Sequence, residues 1–167
     1  MSLIKYLKKV MLAGFSYLPS ELKIFIYRCM GATIGKNTEL GFGSFILPFD
    51  FDFKKIHIGN DVIVEDGVHI LSKNVFLGNG TQIKNNTKIS GQSDFLAGKN
   101  VYVDQECHFD LRRDISLGDD VVISGGCWFY THMVFHSVLE GAPFKLGPII
   151  IDERTYFGAN VFVLPGI

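Results

Sequence analysis

Of the five histidines in the chain, three fall in its second half, at positions 108, 132 and 136. Imidazole is the side chain that exchanges a proton most readily near neutral pH, so each of the three could act as a base toward a hydroxyl or an amine. A histidine in an exposed loop more often has no chemical task. We expect His136 to face solvent and His108 to point outward beside Cys107. His132 follows Thr131 directly, and the pattern around this pair decides how it is interpreted.

The three cysteines, Cys29, Cys107 and Cys127, are odd in number, and the last two stand at positions that favour small residues. We interpret them as reduced core residues rather than as disulfide partners or nucleophiles. Unpaired thiols fit a reducing compartment, so we expect a cytoplasmic location.

A period of six residues runs through most of the chain and defines the elements that would position these side chains. Apolar residues stand at 34, 40 and 46, at 58, 64 and 70, at 77, 83 and 89, at 97, 103 and 109, at 117, 123 and 129, and at 151, 157 and 163. A spacing of six is a multiple of the strand period of 2 and not of the helical period of 3.6. Each hexapeptide is therefore predicted to form one short strand and one corner, with its first residue pointing into the core.

A second regularity marks the corners. Four residues after nearly every inward position the chain has a small or β-branched residue, as at Val62, Thr81 and Val101. Such a site suits a corner where the backbone bends inward and leaves little room for a side chain. Glycine often follows the inward residue directly, as at Gly78 and Gly98, where tight or left-handed backbone is easiest for this residue.

The combined pattern resembles the hexapeptide-repeat acyltransferases, and among them the sugar and polysaccharide O-acetyltransferases. The resemblance implies an all-β fold, a left-handed parallel β-helix in which three hexapeptides form one triangular coil of about 18 residues. The triplets of this chain begin 24, 19, 20, 20 and 34 residues apart, so the last step contains a protruding loop. We predict a β-helix over residues 33–167 with this loop at about 131–148. Relatives in the family continue through further coils beyond the position of Ile167.

Residues 1–32 lack the period and are predicted to form a helical cap. Apolar residues at helical spacing indicate two helices, with Leu3, Leu7, Val10 and Phe15 in the first and Leu22, Phe25, Ile26 and Cys29 in the second. The second helix would begin near Pro19 and end at Gly31. Contact of Lys5, Lys8 and Lys9 with a membrane surface is an alternative, but a solvated charged face is favoured.

The resemblance also implies a site. Thr131-His132 matches a Thr-His pair in which the histidine is the catalytic base, so His132 is predicted to have that role. Asp104 occupies the position at which the family offers an asparagine to the acceptor, and we predict that it accepts a hydrogen bond there or orients the imidazole. Phe157, Gly158 and Ala159 correspond to the region that holds acetyl-CoA in a groove between the prisms of a homotrimer.

The implied reaction is direct transfer of an acetyl group from acetyl-CoA to a hydroxyl of a sugar or surface-polysaccharide precursor, without an acyl-enzyme and without a metal. Two alternatives stay open. Carbonic-anhydrase-like enzymes share the prism and bind zinc through three histidines, and His132 with His136 invites that comparison. A non-catalytic scaffold is the other. Nucleic acid is a poor partner, because the net charge is −1 and no basic patch follows the N-terminal lysines.

Overall fold

The computed structural model of the chain describes residues 14–134 and 144–167. Within these ranges it contains the helix α1 (Ser20–Cys29) and a 3-10 helix (Phe53–Lys55). The first ten strands are β1 (Thr33–Ile34), β2 (Glu39–Leu40), β3 (Phe45–Pro48), β4 (Ile56–Ile58), β5 (Ile63–Val64), β6 (His69–Ser72), β7 (Val75–Leu77), β8 (Gln82–Ile83), β9 (Lys88–Gly91) and β10 (Phe95–Ala97). The next ten are β11 (Tyr102–Val103), β12 (His108–Leu111), β13 (Ile115–Leu117), β14 (Val122–Ile123), β15 (Trp128–Tyr130), β16 (His132–Val134), β17 (Phe144–Leu146), β18 (Ile149–Ile151), β19 (Tyr156–Phe157) and β20 (Phe162–Val163).

Three parallel sheets of six strands each form the walls of the molecule. The first sheet is β1-β4-β7-β10-β13-β18, the second is β2-β5-β8-β11-β14-β19, and the third is β3-β6-β9-β12-β15-β20. Each coil of the chain adds one strand to every sheet in turn. The predicted parallel β-helix is therefore confirmed, and strands β16 and β17 stand apart from it as an antiparallel hairpin.

The strand register follows the six-residue period along the whole prism. In the first sheet the paired inward residues are Ile34, Ile58, Leu77, Ala97, Leu117 and Ile151, in that order. The same holds for the column that ends at Phe157 in the second sheet and the column that ends at Val163 in the third. These residues are buried apart from Phe157, which is half-buried and packs against the same core. The hexapeptide pattern thus encodes the core and its register together.

The corners explain the small residues and the glycines by two different contacts. Thr81 is buried, and its hydroxyl donates to the carbonyl of Gly98 in the next coil at 2.9 Å. A Cβ at Gly78 would lie 2.3 Å from that same carbonyl oxygen, so close approach of neighbouring coils requires the glycine there. Left-handed backbone occurs two positions after the one that glycine often occupies. Asn100, two residues after Gly98, has φ 54°, and Asn86, at the same position of its own hexapeptide, has φ 60°. Close packing, rather than a left-handed φ, is the reason for Gly78.

Helix α1 covers the end of the prism and confirms the second predicted helix, but the apolar residues that indicated this helix do not form its buried face. Leu22 and Phe25 are 43% and 63% exposed, and Cys29 is also exposed rather than part of the core. The buried residues are Lys23, Ile24 and Tyr27.

Polar contacts with the first coil determine this orientation. The Tyr27 hydroxyl accepts from the N–H of Ile46 at 2.8 Å and donates to its carbonyl at 2.9 Å. The Lys23 ammonium donates to the Ser44 hydroxyl at 3.1 Å. Helical spacing of apolar residues does not reveal such contacts, because they depend on side chains of the prism.

The first predicted helix, with Lys5, Lys8 and Lys9, lies for the most part outside the described residues. Among the residues that are described, no helix is both long enough and apolar enough to cross a membrane.

Candidate active site

The candidate site lies where the third sheet passes to the first, at the end of strand β15. Asp110 on β12 is paired in register with Tyr130 on β15, and His132 follows two residues later on the same outer face. The Asp110 carboxylate, through Oδ2, is hydrogen-bonded to Nδ1 of His132. The coil length therefore places a carboxylate one coil below the histidine that the sequence had singled out.

Thr131 fixes the position of both members of this pair. Its side chain is fully buried, and its hydroxyl donates to the carbonyl of Asp110 at 2.7 Å. The same oxygen accepts from the N–H groups of Arg112 at 2.9 Å and Arg113 at 3.0 Å. Thr131 thus fastens the turn after β12 to the end of β15, and a valine of the same shape could not make any of these bonds.

The Asp110–His132 pair is suited to proton transfer. A carboxylate on Nδ1 holds the proton on that nitrogen, which leaves the lone pair of Nε2 free to accept a proton from a substrate. The side chains of His132 and Asp110 are 28% and 27% exposed, so the pair is partly shielded but still within reach of a bound molecule. This arrangement can activate a hydroxyl or an amine.

Two grooves flank the β16–β17 hairpin next to the pair. The arginine groove has a volume of about 670 Å³ and is lined by Ser90, Gln92, Asp110, Arg112, Arg113 and Phe144, among others. The aromatic groove, of about 380 Å³, is lined by Tyr130, His132, Met133, Phe162 and Leu164. The carboxylate borders one groove and the imidazole the other, so molecules bound in the two grooves would meet at the pair.

Asp104 lies at a different corner of the prism, between β11 and β12, where the second sheet passes to the third. Its carboxylate accepts from the N–H of Gln105 at 2.8 Å, and its carbonyl accepts from the Thr87 hydroxyl at 3.0 Å. Among the residues that the structure describes, the carboxylate that contacts His132 is that of Asp110, and its role was missed from the sequence. The signal was available, because a step of 20 residues between triplets places residue 130 above residue 110.

The predicted acetyl-CoA residues occupy the same corner as Asp104, two coils further along. The Phe157 ring packs edge-on against that of Phe129, with centroids 5.4 Å apart, so core packing accounts for this side chain. The Cys127 thiol donates to the carbonyl of Gly158 at 3.1 Å, and Ala159 is exposed. A Cβ at Gly158 would meet no atom within 4 Å, which leaves that corner open on its outer side.

His108 is not in contact with the Asp110–His132 pair. The His108 ring stacks on Trp128 with centroids 4.0 Å apart, and burial lowers the pKa of His108 from its ordinary value. His136 lies outside the described residues. In the part of the chain that the structure describes, no group of three His, Cys, Asp or Glu side chains is arranged to hold a metal ion.

Comparison with known proteins gives partial matches. Two proteins of Staphylococcus aureus, from strains COL and MSSA476, bear the description "Putative acetyltransferase" and are 47% identical to this chain over 73 residues. A third, from strain N315, is 45% identical over 73 residues. Each match covers 42% of this chain and 36% of the relative, so the matched segment spans about a third of those proteins. No family model matches the chain, and no solved structure matches it.

Proposed function

We propose that the protein transfers an acetyl group from acetyl-CoA to a hydroxyl of a sugar or surface-polysaccharide precursor. The observation that carries the proposal is the Asp110–His132 pair at the meeting point of two grooves. Similarity to proteins described as acetyltransferases supports the reaction class and the donor. The Thr131-His132 motif, which resembles that of sugar O-acetyltransferases, supports the type of acceptor.

In the proposed reaction His132 acts first as base and then as acid. Its Nε2 takes the proton of the acceptor hydroxyl while the oxygen forms a bond to the thioester carbonyl carbon. The tetrahedral intermediate then breaks its carbon–sulfur bond, and the departing thiolate of coenzyme A receives the proton from His132. Backbone N–H groups near the hairpin would hold the negatively charged oxygen of the intermediate. Asp110 keeps Nδ1 protonated throughout and stabilises the imidazolium.

A direct route without an acyl-enzyme agrees with the state of the buried thiols. Cys107 is fully buried, and burial raises the pKa of its thiol to about 11. The thiol is the weak form of this nucleophile, so Cys107 is unsuited to attack a thioester. All three cysteines are free, which accords with the cytoplasmic location that we propose.

A homotrimer would bring the separated predicted residues into one site. Within a single prism, Asp104, Gly158 and Ala159 share one corner, whereas His132 belongs to the next corner. We propose that the Asp104 corner of one protomer adjoins the His132 corner of its neighbour, with acetyl-CoA between them. Apolar side chains on the outer face of the first sheet, Phe76 and Ile150, are 47% and 60% exposed, and association would cover such a surface.

The test begins with calorimetric titration of acetyl-CoA into the protein and into a His132→Ala variant. We expect both to bind, because the base is not needed for donor binding. Release of coenzyme A in the presence of candidate sugars should then require His132, with His132→Asn at least 100-fold slower, the contribution typical of a general base. Cys107→Val should retain the activity. No donor binding in either protein would contradict the proposal and favour a scaffold. Unchanged turnover in His132→Asn would contradict the role of His132 and indicate another base.

A further inference from the structure

The arginine groove contains two consecutive cations that the proposed reaction does not use. Arg112 and Arg113 are both exposed and both line the groove. Among the described residues neither guanidinium contacts a carboxylate, and the one hydrogen bond formed is from Arg113 Nη1 to the carbonyl of Arg112 at 3.2 Å. The Asp110 carboxylate is engaged by His132. Two positive charges therefore face this space, and neither forms a salt bridge with a carboxylate of the described residues.

The arginines stand on a rigid support. Both backbone N–H groups are held by the buried Thr131 hydroxyl, and the strand before them, β12, pairs with strands on both sides. A turn held in this way presents the two side chains at defined positions, so fewer degrees of freedom are lost when they bind a ligand.

The rest of the groove suits a phosphate-bearing molecule. Ser90 and Gln92 add neutral hydrogen-bonding groups, and Phe144 and Leu146 form an apolar wall on one side. The volume of about 670 Å³ holds far more than a single ion and lies within the roughly 300–1,000 Å³ usual for small-molecule sites. Guanidinium groups match phosphate oxygens in pairs, which makes arginine the preferred residue for this recognition.

We propose that the arginine groove binds a phosphate group of one of the two substrates through Arg112 and Arg113. This inference rests on the proposed function for the identity of those substrates. If the phosphate belongs to the acceptor, the acceptor is a phosphorylated or nucleotide-linked sugar. If it belongs to the donor, the groove holds the diphosphate of acetyl-CoA.

Calorimetric titration with inorganic pyrophosphate tests the site without turnover. We expect the double variant Arg112→Gln/Arg113→Gln to lose at least about tenfold in affinity, since each charge-assisted contact contributes more than a neutral one. Lys36→Gln removes one positive charge at an exposed corner of the first coil and should bind as the unchanged protein does. His132→Asn should also retain binding. Added salt should weaken binding to the unchanged protein more than to the double variant.

Titration with coenzyme A into the same proteins identifies the source of the phosphate. Parallel loss of coenzyme A and pyrophosphate binding in the double variant assigns the groove to the donor. Loss of pyrophosphate binding alone assigns it to the acceptor. Absence of pyrophosphate binding to the unchanged protein, or equal binding to the double variant, would overturn the inference. The single variants Arg112→Gln and Arg113→Gln provide the same comparison if the double variant does not fold. A protein that binds pyrophosphate but shows no acetyl transfer would contradict the proposed function and not the phosphate site.

Discussion

At the scale of single residues, the contact that matters most for the proposed chemistry is between Asp110 and His132. A histidine without a partner on Nδ1 can exchange its ring tautomers freely, and only one of them leaves Nε2 able to accept a proton. The carboxylate of Asp110 selects that tautomer. The catalytic value of His132 therefore depends on a residue that touches no reacting atom, and Asp110 is a positioning residue in this sense.

Replacing Asp110 by Asn tests that dependence. The amide keeps the shape of the side chain but can donate to Nδ1, which favours the wrong tautomer, so we expect kcat to fall by about 100-fold or more. The KM values should change less than kcat, because the amide keeps the shape of the side chain at the edge of the arginine groove. Initial rates of coenzyme A release measure both quantities. Asp61→Asn, which makes the same change at an exposed corner well before Asp110 in the sequence, is the control. Equal kcat in the two variants would mean that Asp110 does not orient the base.

Lys23 offers a second prediction, on stability. Its side chain is fully buried between α1 and the first coil, and burial lowers the pKa of Lys23 to about 8. The folded state therefore binds this proton more weakly than the unfolded chain does, where the ordinary value is 10.5. Below pH 8 the Lys23 side chain is protonated in both the folded and the unfolded state, and the folded state bears the full free-energy cost of burying the charge. This cost disappears as the pH rises from about 8 to 10.5.

Lys23→Met removes the titration while it keeps an apolar stem of similar length. Between pH 7.5 and 10 the free energy of unfolding of the unchanged protein should rise relative to that of the variant, by no more than about 3 kcal/mol. Chemical denaturation of both proteins at the two pH values gives the difference, in which other groups such as Cys107 cancel. If the free energy of unfolding of the unchanged protein, relative to that of the variant, stays constant or falls between the two pH values, the burial of a titrating ammonium is contradicted.

At the scale of elements, the sequence predicts the strands well and the helix in part. Inward residues such as Ile70, Ile89 and Phe109 lie in adjacent strands and in register, because each short strand must bury its own first residue. The buried face of α1 could not be predicted in this way. Tyr27 points inward because backbone groups of Ile46 accept and donate hydrogen bonds there, and Lys23 because it donates to the Ser44 hydroxyl. Such partners are distant in sequence and leave no periodic signal.

Thr131 shows how one hydroxyl connects two elements of the site. Thr131→Val would leave the N–H groups of Arg112 and Arg113 without their present partner. An unsatisfied buried donor costs about 1–3 kcal/mol, and these two donors are partly buried, so we expect a combined loss of about 2 kcal/mol. For a chain of this size the loss corresponds to a decrease in Tm of roughly 4–8 °C. Thermal unfolding followed by circular dichroism measures it, and Thr131→Ser, which keeps the hydroxyl, is the matched control. Similar Tm values for the two variants would show that the turn is held by other contacts.

At the scale of the whole molecule, the sequence predicts which residues share a corner better than which residues share a site. The repeat assigns Asp104 and Gly158 to equivalent positions in different coils, and the structure places both where the second sheet passes to the third. It places His132 one corner further along the chain. Asp110 could be found from the 20-residue step between the fourth and fifth triplets, but contacts between protomers have no such signature in one sequence. The proposed trimer is therefore the step that most needs an independent test.

Mixed trimers provide that test. The chain has a mass of 18.7 kDa, so light scattering should give about 56 kDa, or three times 18.7 kDa. We expect His132→Asn to be inactive because it lacks the base. We expect Ala159→Glu to be inactive because it places a bulky anion at an exposed position beside the proposed donor site. When the two variants are co-expressed in equal amounts, some interfaces combine His132 from one protomer with Ala159 from its neighbour. Random assembly of a symmetric trimer predicts that the mixture recovers about a quarter of the activity of the protein without substitutions.

Recovery in the mixture would mean that each site is built from two protomers, because neither variant chain contains both functional residues. Mixing the two proteins after separate purification, without subunit exchange, should give no recovery and serves as the control. An inactive co-expressed mixture with a normal trimer mass would place His132 and its donor within one chain. The donor would then have to bind in the grooves that flank the hairpin, and the Asp104 corner would have no part in the reaction.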